Sequence, residues 1–270
     1  MRNLIFLFAL LVLALPAQAQ DALYGYEKGT EYKYLIEQTG LQIQEVQGQS
    51  RTSNREITIS TVLTVEEKLD AGHQKMKMLV DNALAIIEGP QETQTLGPDA
   101  AGKSVIFELD AKGDIVDVDS SVMDLEPETR GIVMASTNIF PSFDASELTV
   151  GNEWESTEID TAGDGETEII TETERTYTVK GEKEINGHNC LEIHITSEAD
   201  IEGKQVMGDQ EIMVSGTREG TTKVFYSPDE RILVKIEADI NTDQTLLVTS
   251  NNMRVAITGN QSVKVELVSP

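Results

Sequence analysis

The chain has 270 residues, with 47 Asp and Glu against 21 Lys and Arg, and a formal net charge of −26. Such a charge repels nucleic acid and anionic membrane surfaces, so nucleic acid is excluded as a partner. One cysteine, Cys190, leaves no intramolecular disulfide, and stability must come from packing and hydrogen bonds.

The N-terminus reads Met1-Arg2-Asn3, an apolar run from Leu4 to Leu15, and then Pro16-Ala17-Gln18-Ala19. A short positive start, a short apolar stretch and an A-x-A site predict a cleaved signal peptide over residues 1–19. Ala17 and Ala19 are small enough for a signal-peptidase pocket, so cleavage is expected after Ala19. An uncleaved anchor is the alternative, but the run falls short of the roughly 20 residues that span a bilayer. No later stretch approaches that length, so no transmembrane segment is expected. With so few cysteines, the expected location is the bacterial periplasm or outside the cell.

Along the rest of the chain, period-2 alternation dominates. Ile57, Ile59, Thr61, Leu63 and Val65 share one face, with Glu56, Thr58, Ser60 and Thr64 opposite. Met76, Met78 and Val80 repeat the pattern. So do Leu191, Ile193 and Ile195, the run around Leu233, and Val263, Val265 and Leu267. Turn signals separate these runs: Asp70-Ala71-Gly72, Asp110-Ala111-Lys112-Gly113, Asn186-Gly187 and Ser227-Pro228-Asp229. Short links favour hairpins, so the expected fold is mainly β with antiparallel, curved sheets.

One stretch departs from alternation. Asp124-Leu125-Glu126-Pro127-Glu128 has a proline and acids suited to a first helical turn, and Ile132, Ala135, Ser136, Ile139 and Phe140 follow at helical spacing until Pro141. This predicts one short helix near 127–138. Around it gather Met123, Leu125, Ile132, Met134, Ile139, Phe140 and Phe143. These seven are the candidate lining of a pocket for an apolar ligand, methionine supplying adaptable packing. The alternative is a helix that covers an open sheet face and completes the core.

The order of motifs occurs twice. Gly29-Thr30-Glu31-Tyr32 is matched by Gly151-Asn152-Glu153-Trp154, and Gly72-His73 by Gly187-His188. Phe107 followed by Ile115-Val116-Asp117-Val118 is matched by Phe225 followed by Leu233-Val234-Lys235-Ile236. The apolar phase agrees as well, which predicts two related β modules over 20–146 and 147–270. The G-x-x-Y and G-x-x-W strand openings, the hairpin Phe107, Asp110, Gly113, Ile115 and the stretch from Pro141 to Trp154 resemble a family of secreted bacterial two-repeat β proteins. That resemblance implies two antiparallel modules and no particular activity. More loosely, long hairpins with one interrupting helix look like periplasmic lipoprotein-carrier proteins, a likeness at the level of fold.

Two polar groupings invite chemistry. His188, Cys190, Glu192 and His194 fall on one face of a strand, but positions i and i+4 there lie about 13 Å apart, too far to share one ion. By comparison with the first repeat, that face is expected to be the outer, more polar one. Asp110, Asp114, Asp117 and Asp119 offer calcium-type oxygens without an EF-hand spacing, and the turn explains Asp110 and Gly113. Catalytic motifs are missing from the sequence: no G-x-S-x-G, H-E-x-x-H, P-loop or G-x-G-x-x-G. No metal, cofactor or catalytic residue is therefore assigned. The expected function is a non-enzymatic binding or carrier module, with an apolar small molecule or an envelope protein as partner. A ligand-free structural protein and a hydrolase with a paired-carboxylate cleft are the alternatives.

Overall fold

The computed structural model describes residues 23–90, 92–143, 148–163, 167–207 and 210–269. Ala17 and Ala19 of the expected signal-peptide cleavage site, and the boundary between the expected modules near 146, lie outside them. The strands are β1 (Tyr32–Val46), β2 (Gln49–Lys68), β3 (Gln74–Glu88), β4 (Thr93–Leu96), β5 (Ser104–Leu109) and β6 (Ile115–Val118). After the single α-helix among the described residues, α1 (Pro127–Ala135), come β7 (Glu153–Gly163), β8 (Glu168–Ile185), β9 (His188–Met207), β10 (Gln210–Ser227), β11 (Ile232–Val248) and β12 (Met253–Ser269).

All twelve strands form one open, curved antiparallel sheet in the order β6-β5-β3-β2-β1-β12-β11-β10-β9-β8-β7, with β4 also paired to β3. Most strands continue directly into a neighbour through a tight turn. Between β8 and β9 the turn is Asn186-Gly187, both with positive φ (53° and 85°), the geometry that a two-residue hairpin requires. Two pairings skip along the chain: β3 with β5, past β4, and β1 with β12, which runs from Lys33↔Ser269 to Val46↔Val255 and joins segments more than two hundred residues apart. The repeated motifs fall on these strands in matching order. Tyr32 and Trp154 enter β1 and β7, His73 and His188 precede or open β3 and β9, and Phe107 and Phe225 lie in β5 and β10.

Alternation sends every second side chain to an inner face, the one covered by α1 and the segment after it. Ala83, Ile59, Ile36, Val265, Ile236, Val224, Ile193 and Val179 lie opposite one another across eight strands and are all buried. At one end of this row the residues preceding β1 cross the core as a strap. Leu23 N donates to Ala111 O (2.6 Å) and Gly25 N to Arg231 O (2.8 Å), so one strap ties the β5–β6 turn at the sheet's edge to the β10–β11 turn. Its tyrosines are buried and fully engaged. Leu233 N donates to the Tyr26 hydroxyl (3.2 Å), Tyr34 donates to Leu233 O (2.8 Å), and the Tyr26 and Tyr34 oxygens are 2.7 Å apart. Burial pushes the Tyr24, Tyr26 and Tyr34 hydroxyls well above the ordinary phenol range, so they are neutral donors at any physiological pH.

The helix is shorter than its apolar spacing predicts. It ends at Ala135 because Ser136 and Thr137 turn back on the last turn, Ser136 Oγ donating to Val133 O (2.6 Å) and Thr137 Oγ1 to Met134 O (2.8 Å). Residues 136–139 continue as turns.

Candidate functional site

Beyond the buried row, the inner face opens into a groove. Its roof is the segment Asn138 to Ser142, held in place where the Tyr24 hydroxyl donates to Pro141 O (2.9 Å) and the Tyr24 and Phe140 rings meet edge to face at 5.5 Å. Its floor is Tyr177, Ile195, Ile236, Ala238, Ile240, Val263 and Val265, from strands β8, β9, β11 and β12. The cavity measures about 370 Å³, within the range of small-molecule sites. Its polar fittings are Asn138 and Ser142 in the roof, Ser197 and Thr222 in the floor, and Arg175 bound to Glu158 at 2.5 Å. The groove thus holds one carboxylate, already paired, rather than the two that a glycosidase-type mechanism needs.

The floor is apolar because of register. The row of Gln38, Val263, Ala238, Thr222 and Ile195 lies one step of about 6.8 Å beyond the core row. A further step gives Arg55, Gly40, Gln261, Ile240, Gly220, Ser197 and Arg175. The next gives Ser53, Gln42, Gly259, Thr242, Arg218 and Ala199. The face therefore changes from aliphatic to amide, hydroxyl and guanidinium within three residues of each strand, and turns apolar again at the tips with Val46, Val255, Leu246 and Val214. A second cavity of about 310 Å³ sits over the polar band, lined by Gln38, Gln42, Gln244, Gln261 and Arg55. The two cavities adjoin, since Ile240 of the first is the cross-strand partner of Gln261 of the second.

Glycines let the sheet curve here. A Cβ on Gly216 would stand 2.3 Å from Asp243 O, and one on Gly259 would stand 3.0 Å from Leu41 O. The inner side of the curve has no room for side chains at those points.

Of the seven candidate pocket residues, Ile139 and Phe140 line the groove. Phe143 is buried against Tyr226, and Leu125, Ile132 and Met134 pack against the core without reaching the cavity. Met123 points to solvent and is 58% exposed. The larger part of the lining comes from the sheet. Ile240 and Val263 carry only the ordinary alternation of strands, and nothing in that pattern distinguishes a groove floor from a filled core. Trp154 stacks on Tyr177 at 4.8 Å with the rings 5° from parallel and anchors the edge strand β7 beside the groove.

The two polar groupings resolve into local pairs. His188 Nδ1 is 2.7 Å from Glu230 Oε1, and His194 Nε2 is 2.7 Å from Glu192 Oε1. His73, at the matching place in the first half, is 2.6 Å from Glu108. Cys190 lies on the same outer face as Glu192 and His194, as expected, but that end of the face is not open to water. Cys190 is buried, with Sγ 3.6 Å from His188 O, because this end of β9 is covered on both sides. Burial, reinforced by the nearby Glu230 charge, pushes its thiol up to about 11. Asp110 accepts from Lys112 N (2.8 Å) and Asp114 N (2.9 Å), and Asp119 accepts from Ser121 N (2.8 Å), so both shape turns. Among the described residues no three His, Cys, Asp or Glu side chains converge as a metal would require, and no helix is long and apolar enough to cross a membrane.

No protein-family model matches the chain, and no curated protein sequence is similar to it. Among solved structures it is similar to lipovitellin, a structure that concerns lipid–protein interactions, with a TM-score of 0.54 at 13% identity over 91% of this chain. The match takes in 26% of that protein, so the chain spans about a quarter of its length. A porin mutant from Rh. blastica aligns over 86% of this chain and 99% of its own, with a TM-score of 0.25 at 8% identity. A DUF1329 family protein from Desulfovibrio piger aligns over 86% and 85%, with a TM-score of 0.14 at 11% identity. The likeness to lipovitellin extends to the fold alone.

Proposed function

We propose that this chain is a non-enzymatic binding or carrier module of the bacterial cell envelope, and that an apolar ligand lies in the groove between residues 138–142 and the sheet. The observation that carries this reading is the groove itself. Its floor is aliphatic on neighbouring strands, its roof is pinned by Tyr24, and its one carboxylate is neutralised by Arg175. Such a site offers apolar contact and shelter from water but no paired acid and base. Resemblance in fold to lipovitellin, a protein with lipid contacts, agrees with it. The extracytoplasmic location rests on the N-terminal segment with its Ala17 and Ala19 cleavage site.

The test is titration with N-phenyl-1-naphthylamine, an apolar dye that brightens when it leaves water. Saturable binding is expected, weakened at least tenfold in Ala238→Phe, whose added ring occupies the cavity. Glu219→Gln, on the outer face, serves as the control. Lack of saturable binding to the unaltered protein, or equal binding by Ala238→Phe in its folded form, overturns the reading.

A further inference from the structure

The charge of the sheet is sorted by face. On β1, β2, β3, β9, β10, β11 and β12, no paired inner-face position among the described residues holds Asp or Glu. The outer face of the same strands is dense with them. Glu174, Glu198 and Glu219 stand directly opposite one another on β8, β9 and β10, and Glu172 opposes Asp200. Direct opposition of like charges costs stability, so the outer face tolerates acids even where they repel. Solvation alone does not explain the difference. The polar band of the inner face is open to water too, yet it holds Gln42, Gln244, Gln261, Arg55 and Arg218.

These side chains have a chemistry in common. Each can donate hydrogen bonds, and what is excluded is the carboxylate, which only accepts. Neither Arg55 nor Arg218 is ion-paired among the described residues, unlike Arg175. In a chain of net charge −26, a region with free guanidinium groups and no carboxylate is suited to an anion that the rest of the surface repels.

We infer that the ligand is an anionic amphiphile. Its chain lies in the aliphatic groove, and its acidic head lies over the adjoining band, against Arg55 or Arg218 and the amides of Gln42, Gln244 and Gln261. The inference rests on the groove reading above and adds the head group. Carboxylate and phosphate heads share the required chemistry, two or more acceptor oxygens with negative charge, and arginine engages either through paired N–H donors.

The experiment uses the full chain after delipidation and four probes with the same twelve-carbon tail, each below its micelle concentration. These are laurate, monododecyl phosphate, dodecanol and dodecyltrimethylammonium, with affinities read by calorimetry. At least one of the two anions is expected to bind about tenfold or more tightly than dodecanol, with the cation weakest. Whichever anion is preferred identifies the head. The double variant Arg55→Gln/Arg218→Gln should bring the anion's affinity close to that of dodecanol. Gln261→Glu, which introduces the missing carboxylate without truncating a side chain, should lower it in the same direction. Equal binding of laurate, monododecyl phosphate and dodecanol overturns the inference and leaves the groove reading standing. So does an anion preference that survives both variants. If none of the four probes binds, both fall.

Discussion

Replacing Tyr34 by Phe removes one oxygen atom from the most connected polar site in the core. Tyr34 is 1% exposed, and its hydroxyl donates to Leu233 O at 2.8 Å. That proton being committed, the Tyr26 hydroxyl donates to Tyr34 across 2.7 Å while accepting from Leu233 N. With Phe at this position the Tyr26 proton has no acceptor in a dry site, and Leu233 O loses a donor. A buried group left unsatisfied costs about 1–3 kcal/mol and a lost hydrogen bond about 1 kcal/mol, which together come to about 2–4 kcal/mol. For a chain of this size, each kcal/mol lowers the melting temperature by about 2–4 °C. The assay is equilibrium urea unfolding followed by circular dichroism, with the denaturant slope checked for constancy. Tyr177→Phe is the internal comparison, because its hydroxyl has only a 3.5 Å contact with Ser156 Oγ, at the limit of hydrogen bonding. It should cost less than about 0.5 kcal/mol. If Tyr34→Phe is as mild as Tyr177→Phe, the tyrosine network does not hold the strap to β11.

Gly216→Ala places a methyl group against backbone atoms of β11 that cannot move aside. A loss of about 1–3 kcal/mol in the same urea assay is expected. Gly131→Ala, within α1 and with open space around it, should instead gain about 0.5–1 kcal/mol. Stability should also fall in acid. Glu266 is held below its ordinary value by the Asn186 amide and the Lys264 ammonium, and Glu237 by Lys235. A carboxyl with a lowered folded pKa contributes stability above the ordinary value of about 4.5 that is lost as the pH drops through the folded value. The urea midpoint should therefore decline below about pH 5, and Glu266→Gln should flatten part of that decline; an unchanged profile would show that Glu266 adds nothing.

Much of the local structure is legible in the chain. The alternation through Ile57 to Val65 and through Leu191 to Ile195 marks strands with one buried face, because a pleated chain turns every second side chain the same way. Asn186-Gly187 tolerates the positive φ of a two-residue turn, and Pro127 opens the one helix. The end of that helix is less legible. Apolar spacing carries on through Ile139, and what stops the helix at Ala135 is the side-chain bonding of Ser136 and Thr137. Cys190 escapes the pattern for a related reason. Period 2 assigns a side chain to a face, but it cannot say that both faces are buried at one end of the strand.

By itself, then, the sequence determined which residues extend, where the chain reverses, which side chains share a face, and that acids crowd the molecule. These are properties of neighbours along the chain. Tertiary structure alone decided that β1 pairs with β12, joining residues more than two hundred positions apart into one sheet. It also decided that Ile139 and Phe140 roof a floor made by Ile195, Ile240 and Val263, and that the paired inner-face positions of β1, β2, β3 and β9 to β12 carry no acid. A strand's pattern fixes its orientation but not its partner, and a groove exists only once partners are chosen.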